Sequence, residues 1–226
     1  MIGIIIPSFR NCPLRIHLEP PSVIVILWMY YCYSPLEVLN VSSVVRAFLS
    51  INIEDQLLLS KIQNIQGTLD LTAAKMKIIK SEDIHFTLRF FGDTPLSRLN
   101  QIQACLDRIK IDPFEIEVAG IGSFPNNRRP RIIWIGVTKN ASEILKLKNE
   151  IDSSLIEIGY QPEKKKYTPH ATIARVRYVK DSKRINENLE NLAEEVLGEM
   201  TVMRVKMMKS TLAPSGPIYE CLWEIG

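Results

Sequence analysis

The order of the secondary-structure elements that the sequence predicts is the feature that most constrains the fold. Alternating apolar and polar residues predict strands, at about residues 45–53, 75–79, 84–91, 114–121, 131–138, 201–212 and 217–224, with one more strand within 164–178. Apolar residues three and four positions apart predict four helices, at about residues 55–70, 94–109, 144–158 and 185–196. The first part, strand–helix–strand–strand–helix, resembles the later part in order. This pattern predicts an α+β fold of two similar lobes, each a small sheet with helices packed on one face.

The composition is ordinary for a soluble globular protein and excludes few functions. Hydrophobic residues make up 46% of the 226 residues and charged residues 23%, and the formal net charge is +3. This mildly basic charge is compatible with an anionic ligand but does not require one. The cysteines are scattered without a C-x-x-C pair, so neither a disulfide framework nor a zinc site is indicated. We expect free or buried thiols in a reducing compartment, the cytoplasm.

Residues 1–44 differ from the rest of the chain. The apolar run "VIVILWMYYCY" (23–33) has only 11 residues, too few to cross a bilayer comfortably, and no clear signal-peptidase site follows it. We therefore expect no membrane association. Regular patterning begins abruptly at "VVRAFLSINIED" (44–55). The hypothesis is that residues 1–44 are an atypical extension, either a peripheral appendage or an over-long reading of the gene, and that residues 45–226 form the functional domain.

The run "DIHFTLRFFG" (83–92) contains a histidine within a strand pattern. Strict alternation predicts one face with His85, Thr87 and Arg89, and an opposite face with apolar residues: Ile84, Phe86, Leu88 and Phe90. A single H-x-T-x sequence on a strand is more often a half-buried polar pair than a functional site.

A second H-x-T-x sequence in "YTPHATIARVR" changes the interpretation of the first. His170 and Thr172 repeat the spacing of His85 and Thr87, and residues i and i+2 of a strand share a face. If both strands line one cleft, they supply two imidazoles and two hydroxyls. Imidazole is suited to proton transfer near neutral pH, and hydroxyls can donate hydrogen bonds to phosphate oxygens. The pair of motifs therefore favours metal-free phosphodiester chemistry.

Other sites are less well supported by the sequence. A zinc site needs three or four ligands, and no cluster of cysteines or carboxylates accompanies the two histidines. The chain has no nucleophile elbow, no G-x-G-x-x-G sequence and no P-loop. The run "KKK" (164–166) is typical of a solvated loop, although its closeness to His170 would also allow it to attract a polyanion.

Two H-x-T-x motifs 85 residues apart (170 − 85) in two similar lobes resemble the two-histidine (2H) phosphoesterase superfamily. The nearest likeness is to its LigT-like branch, the RNA 2′,3′-cyclic phosphodiesterases once called 2′-5′ RNA ligases. The likeness extends over residues 45–226 and is carried by the following segments: "RAFLSINI", "EDIHFTLRFFGD", "GSFPNNRRPRIIWIGV", "YTPHATIARVR" and "STLAPSGPIYECL".

The resemblance implies a bilobal fold of antiparallel sheets with helices on the outer face and an active-site cleft between the lobes. It implies hydrolysis of RNA 2′,3′-cyclic phosphate ends, or of small cyclic nucleotides, to 2′-phosphates without metal or other cofactor. The expected form is a monomer. By the same resemblance His85 and His170 are the acid–base pair, and Thr87 and Thr172 hold phosphate oxygens. We assign water activation to His170 and protonation of the 3′ oxygen to His85, an orientation that the near symmetry leaves open.

The resemblance also makes Arg175 a phosphate-binding residue, as the end of an H-x-T-x-x-R pattern. Strand alternation disagrees, because Arg175 lies at an odd offset from His170 and should point away unless the strand twists strongly, bulges or ends after Thr172. Arg89, at an even offset from His85, is the geometric alternative. Phe48 either packs in the core, the favoured interpretation, or stacks on a base.

Two other activities are compatible with these residues. The same site run in reverse would join a cyclic-phosphate end to a 5′-hydroxyl end, which is 2′-5′ RNA ligase activity. A non-catalytic RNA- or nucleotide-binding protein could keep the fold, but both motifs being intact argues against it.

Overall fold

The computed structural model describes residues 44–214 and 216–226, whose nine strands pair into one antiparallel sheet. The strands are β1 (Val44–Asn52), β2 (Ala74–Ile78), β3 (His85–Pro95), β4 (Phe114–Phe124), β5 (Ile132–Val137), β6 (Ala171–Val179), β7 (Val196–Val202), β8 (Val205–Ala213) and β9 (Gly216–Ile225). The four helices are α1 (Gln56–Thr68), α2 (Leu96–Leu106), α3 (Ala141–Ile156) and α4 (Ser182–Asn191). Each predicted helix is present. Residues 201–212, predicted as one strand, belong to two strands, β7 and β8.

The sheet has the order β7-β4-β5-β6-β3-β1-β8-β9. Strand β2 lies off this path and pairs with residues 174–179 of β6. At the centre, β3 and β6 are joined by a single residue pair, Phe86 with Ala171. The sheet therefore consists of two half-sheets that meet at this pair. We call them the β3 lobe (β1, β3, β8 and β9) and the β6 lobe (β2, β4, β5, β6 and β7). The predicted α+β architecture with two lobes and antiparallel pairing is confirmed.

The helices distribute over the two lobes in an order that differs from their order in the chain. Helix α1 follows β1 of the β3 lobe, yet it packs against β6 and β7. Helix α4 packs against β4, while α2 packs against β3 and α3. Each lobe is therefore built from both halves of the sequence.

Local signals in the sequence explain where the helices begin. The carboxylate of Asp55 accepts a hydrogen bond from the backbone N–H of Leu58 (2.7 Å) and caps α1, as its acidic start predicted. Asp181 caps α4 in the same way, accepting from the N–H groups of Lys183 and Arg184. Every helix then buries an apolar stripe against the sheet, and each stripe contains fully buried isoleucines: Ile62, Ile102, Ile144, Ile151 and Ile185.

The predicted extension, residues 1–44, lies outside the described residues except for Val44, with which β1 begins. Within the described part of the chain, no helix combines the length and the apolar character needed to cross a membrane.

Candidate active site

The two H-x-T-x motifs lie side by side in the sheet. The pair that joins β3 to β6, Phe86 with Ala171, is formed by the second residue of each motif. Because the strands are antiparallel, the register through this pair places each histidine opposite the threonine of the other motif. Side chains directly opposite in such a register have Cβ atoms about 4.5–5.5 Å apart. Two histidines and two threonines therefore form a compact four-residue cluster.

This cluster lines an open cleft of about 1260 Å³ between the lobes. The walls of the cleft come from strands and loops, one of which contains a short 3₁₀ helix (Ser81–Asp83), and no residue of the four described α-helices contributes to them. The helices consequently lie on the outer face, as expected. All residues that the sequence analysis placed in the site line this cleft: His85, Thr87, His170, Thr172 and Arg175.

Both imidazoles are oriented by the same local hydrogen bond. Nδ1 of His85 lies 2.8 Å from the carbonyl oxygen of Asp83, and Nδ1 of His170 lies 2.7 Å from that of Thr168. In each case the carbonyl belongs to the residue two positions earlier. A carbonyl can only accept, so Nδ1 carries the hydrogen in a neutral ring. Nε2 is then the nitrogen that can exchange a proton with a substrate.

Aromatic side chains surround His85. Its ring stacks on Phe48 with 4.9 Å between ring centroids, and it meets the edge of Tyr219 at 5.4 Å. Burial lowers the pKa of His85 to about 4; the Asp83 carbonyl opposes this shift, and the nearby charges of Arg175 and His170 add to it. His85 is therefore neutral near pH 7 in the free protein.

His170 has aromatic neighbours from two other strands. Phe124 of β4 lies 5.0 Å away, and Trp134 of β5 lies 6.3 Å away, both as ring-centroid distances. Gly122 makes room for the indole, because a Cβ at that position would lie 2.4 Å from Cζ2 of Trp134.

Three of these aromatic neighbours, Tyr219, Phe124 and Trp134, were not predicted from the sequence. They come from β9, β4 and β5, whose pairing in the sheet sets their place near the histidines. The available signal was an aromatic residue inside a predicted strand, which holds for Tyr219 (strand 217–224) and Trp134 (strand 131–138) but not for Phe124, which follows the predicted strand 114–121.

The predicted alternation of β3 is correct as far as Thr87 and wrong beyond it. Neighbouring residues of β1 pair with Thr87 and Arg89, so Leu88 has no partner in that ladder. Such a bulge exchanges the two faces of the strand for the residues that follow. Phe90 consequently lines the cleft and is 64% exposed, although the alternation placed it on the opposite face.

Arg89 also borders the cleft, but the bulge and its own contacts contradict it as the alternative phosphate ligand. Its side chain is 6% exposed and forms an ion pair with Asp152 of α3. It also donates a hydrogen bond to the carbonyl oxygen of Gln161 at 2.7 Å. With these partners, the guanidinium serves the packing of α3 against the sheet.

A second bulge resolves the disagreement over Arg175. Neighbouring residues of β5 pair with Thr172 and Ala174, so Ile173 is skipped. The skip returns Arg175 to the face of Thr172, where it lines the cleft. Burial raises the pKa of the Tyr219 hydroxyl, and the positive charge of Arg175 opposes this rise. The strand bulges at the place where the sequence analysis required a bulge for Arg175 to reach the cleft.

Phe48 is buried, as the favoured interpretation had it, at 2% exposure. Its ring packs on the cleft side of the sheet, against His85, Phe90 and Tyr219, so it supports the site from below.

The rim of the cleft is predominantly basic. Among the described residues two acidic ones border it, Asp83 and Glu163, against a larger set of cations: Arg46, Lys77, Lys80, Arg89, Lys164, Lys165, Lys166 and Arg175. In residues 44–214 and 216–226 there is no cluster of three His, Cys, Asp or Glu side chains that could hold a metal ion. The cleft thus offers an anion two imidazoles, two hydroxyls and a guanidinium.

A comparison with protein families identifies this arrangement. The model described as "LigT like Phosphoesterase" matches residues 55–134 and again residues 135–219. The chain belongs to the LigT-like phosphoesterase family. Each of the two family matches contains one H-x-T-x motif, which agrees with the repeated order of elements.

Curated relatives of this family resemble the chain over most of its length. A protein of Methanothermobacter thermautotrophicus is 36% identical over 177 residues, which cover 77% of this chain and 95% of the relative. A protein of Methanocaldococcus jannaschii is 34% identical over 79% of this chain and 99% of its own length. Both are named RNA 2′,3′-cyclic phosphodiesterase.

Solved structures of other proteins share the fold. TT0787 of Thermus thermophilus has a TM-score of 0.66 and 22% identity, over 80% of this chain and 96% of that protein. LigT of Escherichia coli, solved in complex with 3′-AMP, has a TM-score of 0.64 and 17% identity, over 80% and 97%. At these identities the likeness concerns the fold alone.

Proposed function

We propose that this protein is an RNA 2′,3′-cyclic phosphodiesterase that hydrolyses the cyclic phosphate at an RNA 3′ end to a 2′-phosphate. The observation that carries the proposal is the register of β3 against β6, which gathers two histidines and two threonines in one cleft. The names of the curated relatives, which match over nearly their whole length, support the same activity.

In the proposed mechanism the two motifs bind opposite sides of the phosphate. Thr87 and Thr172 donate hydrogen bonds to its non-bridging oxygens, and Arg175 balances its negative charge. Nε2 of His170 accepts a proton from water, whose oxygen forms the new bond to phosphorus. The bond from phosphorus to O3′ breaks, and Nε2 of His85 protonates the departing oxygen. One water is consumed, and the 2′-phosphate and a free 3′-hydroxyl result.

The low pKa of His85 places a condition on this mechanism. A histidine with a pKa of about 4 is unprotonated near neutral pH, whereas a general acid must carry its proton. Binding of the anionic phosphate meets this condition, because a negative charge beside an imidazole raises its pKa and so favours protonated His85. In this proposal, substrate binding and protonation of His85 occur together.

The cytoplasm is the proposed site of action. RNA is the proposed substrate, and the two cysteines within the described residues, Cys105 and Cys221, are free thiols, as expected of a reducing compartment. A monomer is the form we propose, and analytical ultracentrifugation of the purified chain tests it.

The identity of the product tests the proposed function. The purified protein is incubated with a short RNA that ends in a 2′,3′-cyclic phosphate, and ³¹P NMR distinguishes a 2′-phosphate from a 3′-phosphate. We expect the 2′-phosphate alone. A parallel reaction includes an RNA with a 5′-hydroxyl end, because the same residues could also catalyse joining. A 3′-phosphate, or no consumption of the cyclic end, would contradict the proposal.

A further inference from the structure

Three consecutive lysines lie on the rim of the cleft, in the loop that leads from α3 to His170. We call Lys164, Lys165 and Lys166 the loop lysines. All three are exposed and line the cleft, and none of them forms a salt bridge with any residue that the structure describes. A run of lysines that is only part of a solvated loop has no contacts that fix its position. The loop lysines differ, because the residues on either side of them make contacts that keep them at the edge of the cleft.

The residue that precedes the loop lysines is fixed by a buried cation. Oε2 of Glu163 lies 2.9 Å from Nζ of Lys148 in α3. Lys148 is only 3% exposed, and it is itself paired with Asp152, 2.8 Å away. Asp152 in turn binds Arg89 of β3. This network attaches the start of the loop to the strand that carries the first motif.

The residue that follows the loop lysines is fixed as well. The ring of Tyr167 lies beneath Nζ of Lys148, which is 5.4 Å from the ring centroid. The Tyr167 hydroxyl is buried and has no hydrogen-bond partner among the described residues. Three residues later His170 bonds to the Thr168 carbonyl. Lys166 is four residues from His170, so at most ~14 Å separates their backbones.

We propose that the loop lysines bind phosphates of the RNA nucleotides that precede the cyclic end. The inference rests on the proposed function and specifies its substrate as an oligonucleotide rather than a cyclic mononucleotide. A 2′,3′-cyclic phosphate closes the 3′ end of an RNA, so every other phosphate of the strand lies on its 5′ side. A strand whose end is bound at His85 and His170 must leave the cleft across its rim. Ammonium groups there contact the backbone without reading the bases, so the preference is for length and not for sequence.

The test compares two substrates in two matched variants. The first variant replaces the loop lysines, as Lys164→Gln, Lys165→Gln and Lys166→Gln. The control variant makes the same change of net charge at exposed lysines outside the cleft, as Lys61→Gln, Lys110→Gln and Lys146→Gln. The substrates are a 2′,3′-cyclic mononucleotide and a five-nucleotide RNA with a cyclic end.

For the loop-lysine variant we expect kcat/KM on the five-nucleotide RNA to fall by about tenfold or more, while kcat/KM on the mononucleotide is unchanged. The salt dependence of kcat/KM on the RNA should become shallower by about 0.7 in log–log slope for each phosphate contact removed. The control variant should match the unsubstituted protein on both substrates. An equal loss on both substrates, or the same behaviour of the two variants, would overturn the proposal.

A binding measurement separates failure of this inference from failure of the proposed function. If the unsubstituted protein hydrolyses neither substrate, the proposed function is wrong. Fluorescence anisotropy with a labelled five-nucleotide RNA that ends in a 2′-phosphate then tests the loop lysines independently of turnover. Tighter binding by the control variant than by the loop-lysine variant supports the subsite, and equal affinities overturn it.

Discussion

Leu88 and Ile173 occupy equivalent places in the two halves of the site. Each lies three residues after its histidine, and each is skipped in the ladder with a neighbouring strand. The bulges return the fifth residue after each histidine to the cleft, Phe90 in one half and Arg175 in the other. An arrangement that is nearly symmetric in its histidines and threonines therefore has an exposed ring on one side and a cation on the other.

Arg175 is predicted to contribute to substrate binding through its charge. Because a hydrogen bond to a charged group is worth about 1.5–3 kcal/mol, Arg175→Ala should lower kcat/KM for a cyclic-phosphate RNA by about 10- to 100-fold. Arg177→Ala is the control, because Arg177 is exposed on the same strand and does not line the cleft. Steady-state kinetics of both variants check the prediction, and equal losses in the two would contradict it.

Anion binding is predicted to raise the pKa of His85 from its value of about 4 in the free protein. Because the pKa in the complex is higher, binding is accompanied by proton uptake at His85. Affinity for inorganic phosphate should then fall as the pH rises from about 4, the pKa of His85 in the free protein, to its higher pKa in the complex. The ionisation of phosphate itself is corrected for separately. NMR titration of the His85 ring, assigned with the His85→Gln variant, measures both pKa values. A pKa that phosphate leaves unchanged would count against His85 as the general acid.

The ion network of Asp152 is predicted to be essential for stability. Asp152→Ala leaves Arg89 as a buried cation without a carboxylate and leaves Lys148 with Glu163 alone, which should lower the free energy of unfolding by about 3–5 kcal/mol. The control is Glu157→Ala, which breaks an exposed pair with Arg108 and should cost about 0–1 kcal/mol. Urea denaturation measures the free energy of unfolding of both variants. Similar losses in the two would show that the buried ion pairs of Asp152 stabilise the fold no more than an exposed pair does.

The roles of the two histidines can be distinguished with a cyclic substrate whose 3′ oxygen is replaced by sulfur. A thiol has a pKa of about 8.5, so a thiolate leaves without a general acid. The His85→Ala variant should therefore recover much of its turnover on this substrate, whereas His170→Ala should not. Recovery by His170→Ala alone would reverse the assignment and make His85 the base, the role that its neutral state in the free protein would suit.

Periodicity in the sequence was sufficient to predict the helices, most of the strands and the shared face of each histidine with its threonine. It failed at Arg89 and Phe90, because one unpaired residue, Leu88, shifts the alternation, and no residue type at that position marks a bulge. For Arg175 the family pattern was the better guide, because strict alternation alone would have excluded it.

Contacts between distant strands could not be predicted from periodicity. Tyr219 lies against His85 because β9 pairs with β8 and β8 with β1, a sequence of pairings that no local pattern contains. The same reason explains α1, which packs against β6 and β7 although it directly follows β1. Local sequence specifies the elements, and the order of strands in the sheet decides which side chains meet.

The central claim is that His85 and His170 together hydrolyse the cyclic phosphate without a metal ion. The most direct measurement is single-turnover hydrolysis of a cyclic-phosphate RNA by the unsubstituted protein, by His85→Ala and by His170→Ala, each with and without EDTA. General acid–base catalysis contributes about 10²–10⁴-fold to the rate. The hydrolysis rate of each variant should therefore fall by about 10²-fold or more, while its affinity for a 2′-phosphate RNA stays similar. EDTA should have no effect. Undiminished hydrolysis by either variant, or loss of activity with EDTA, would contradict the account.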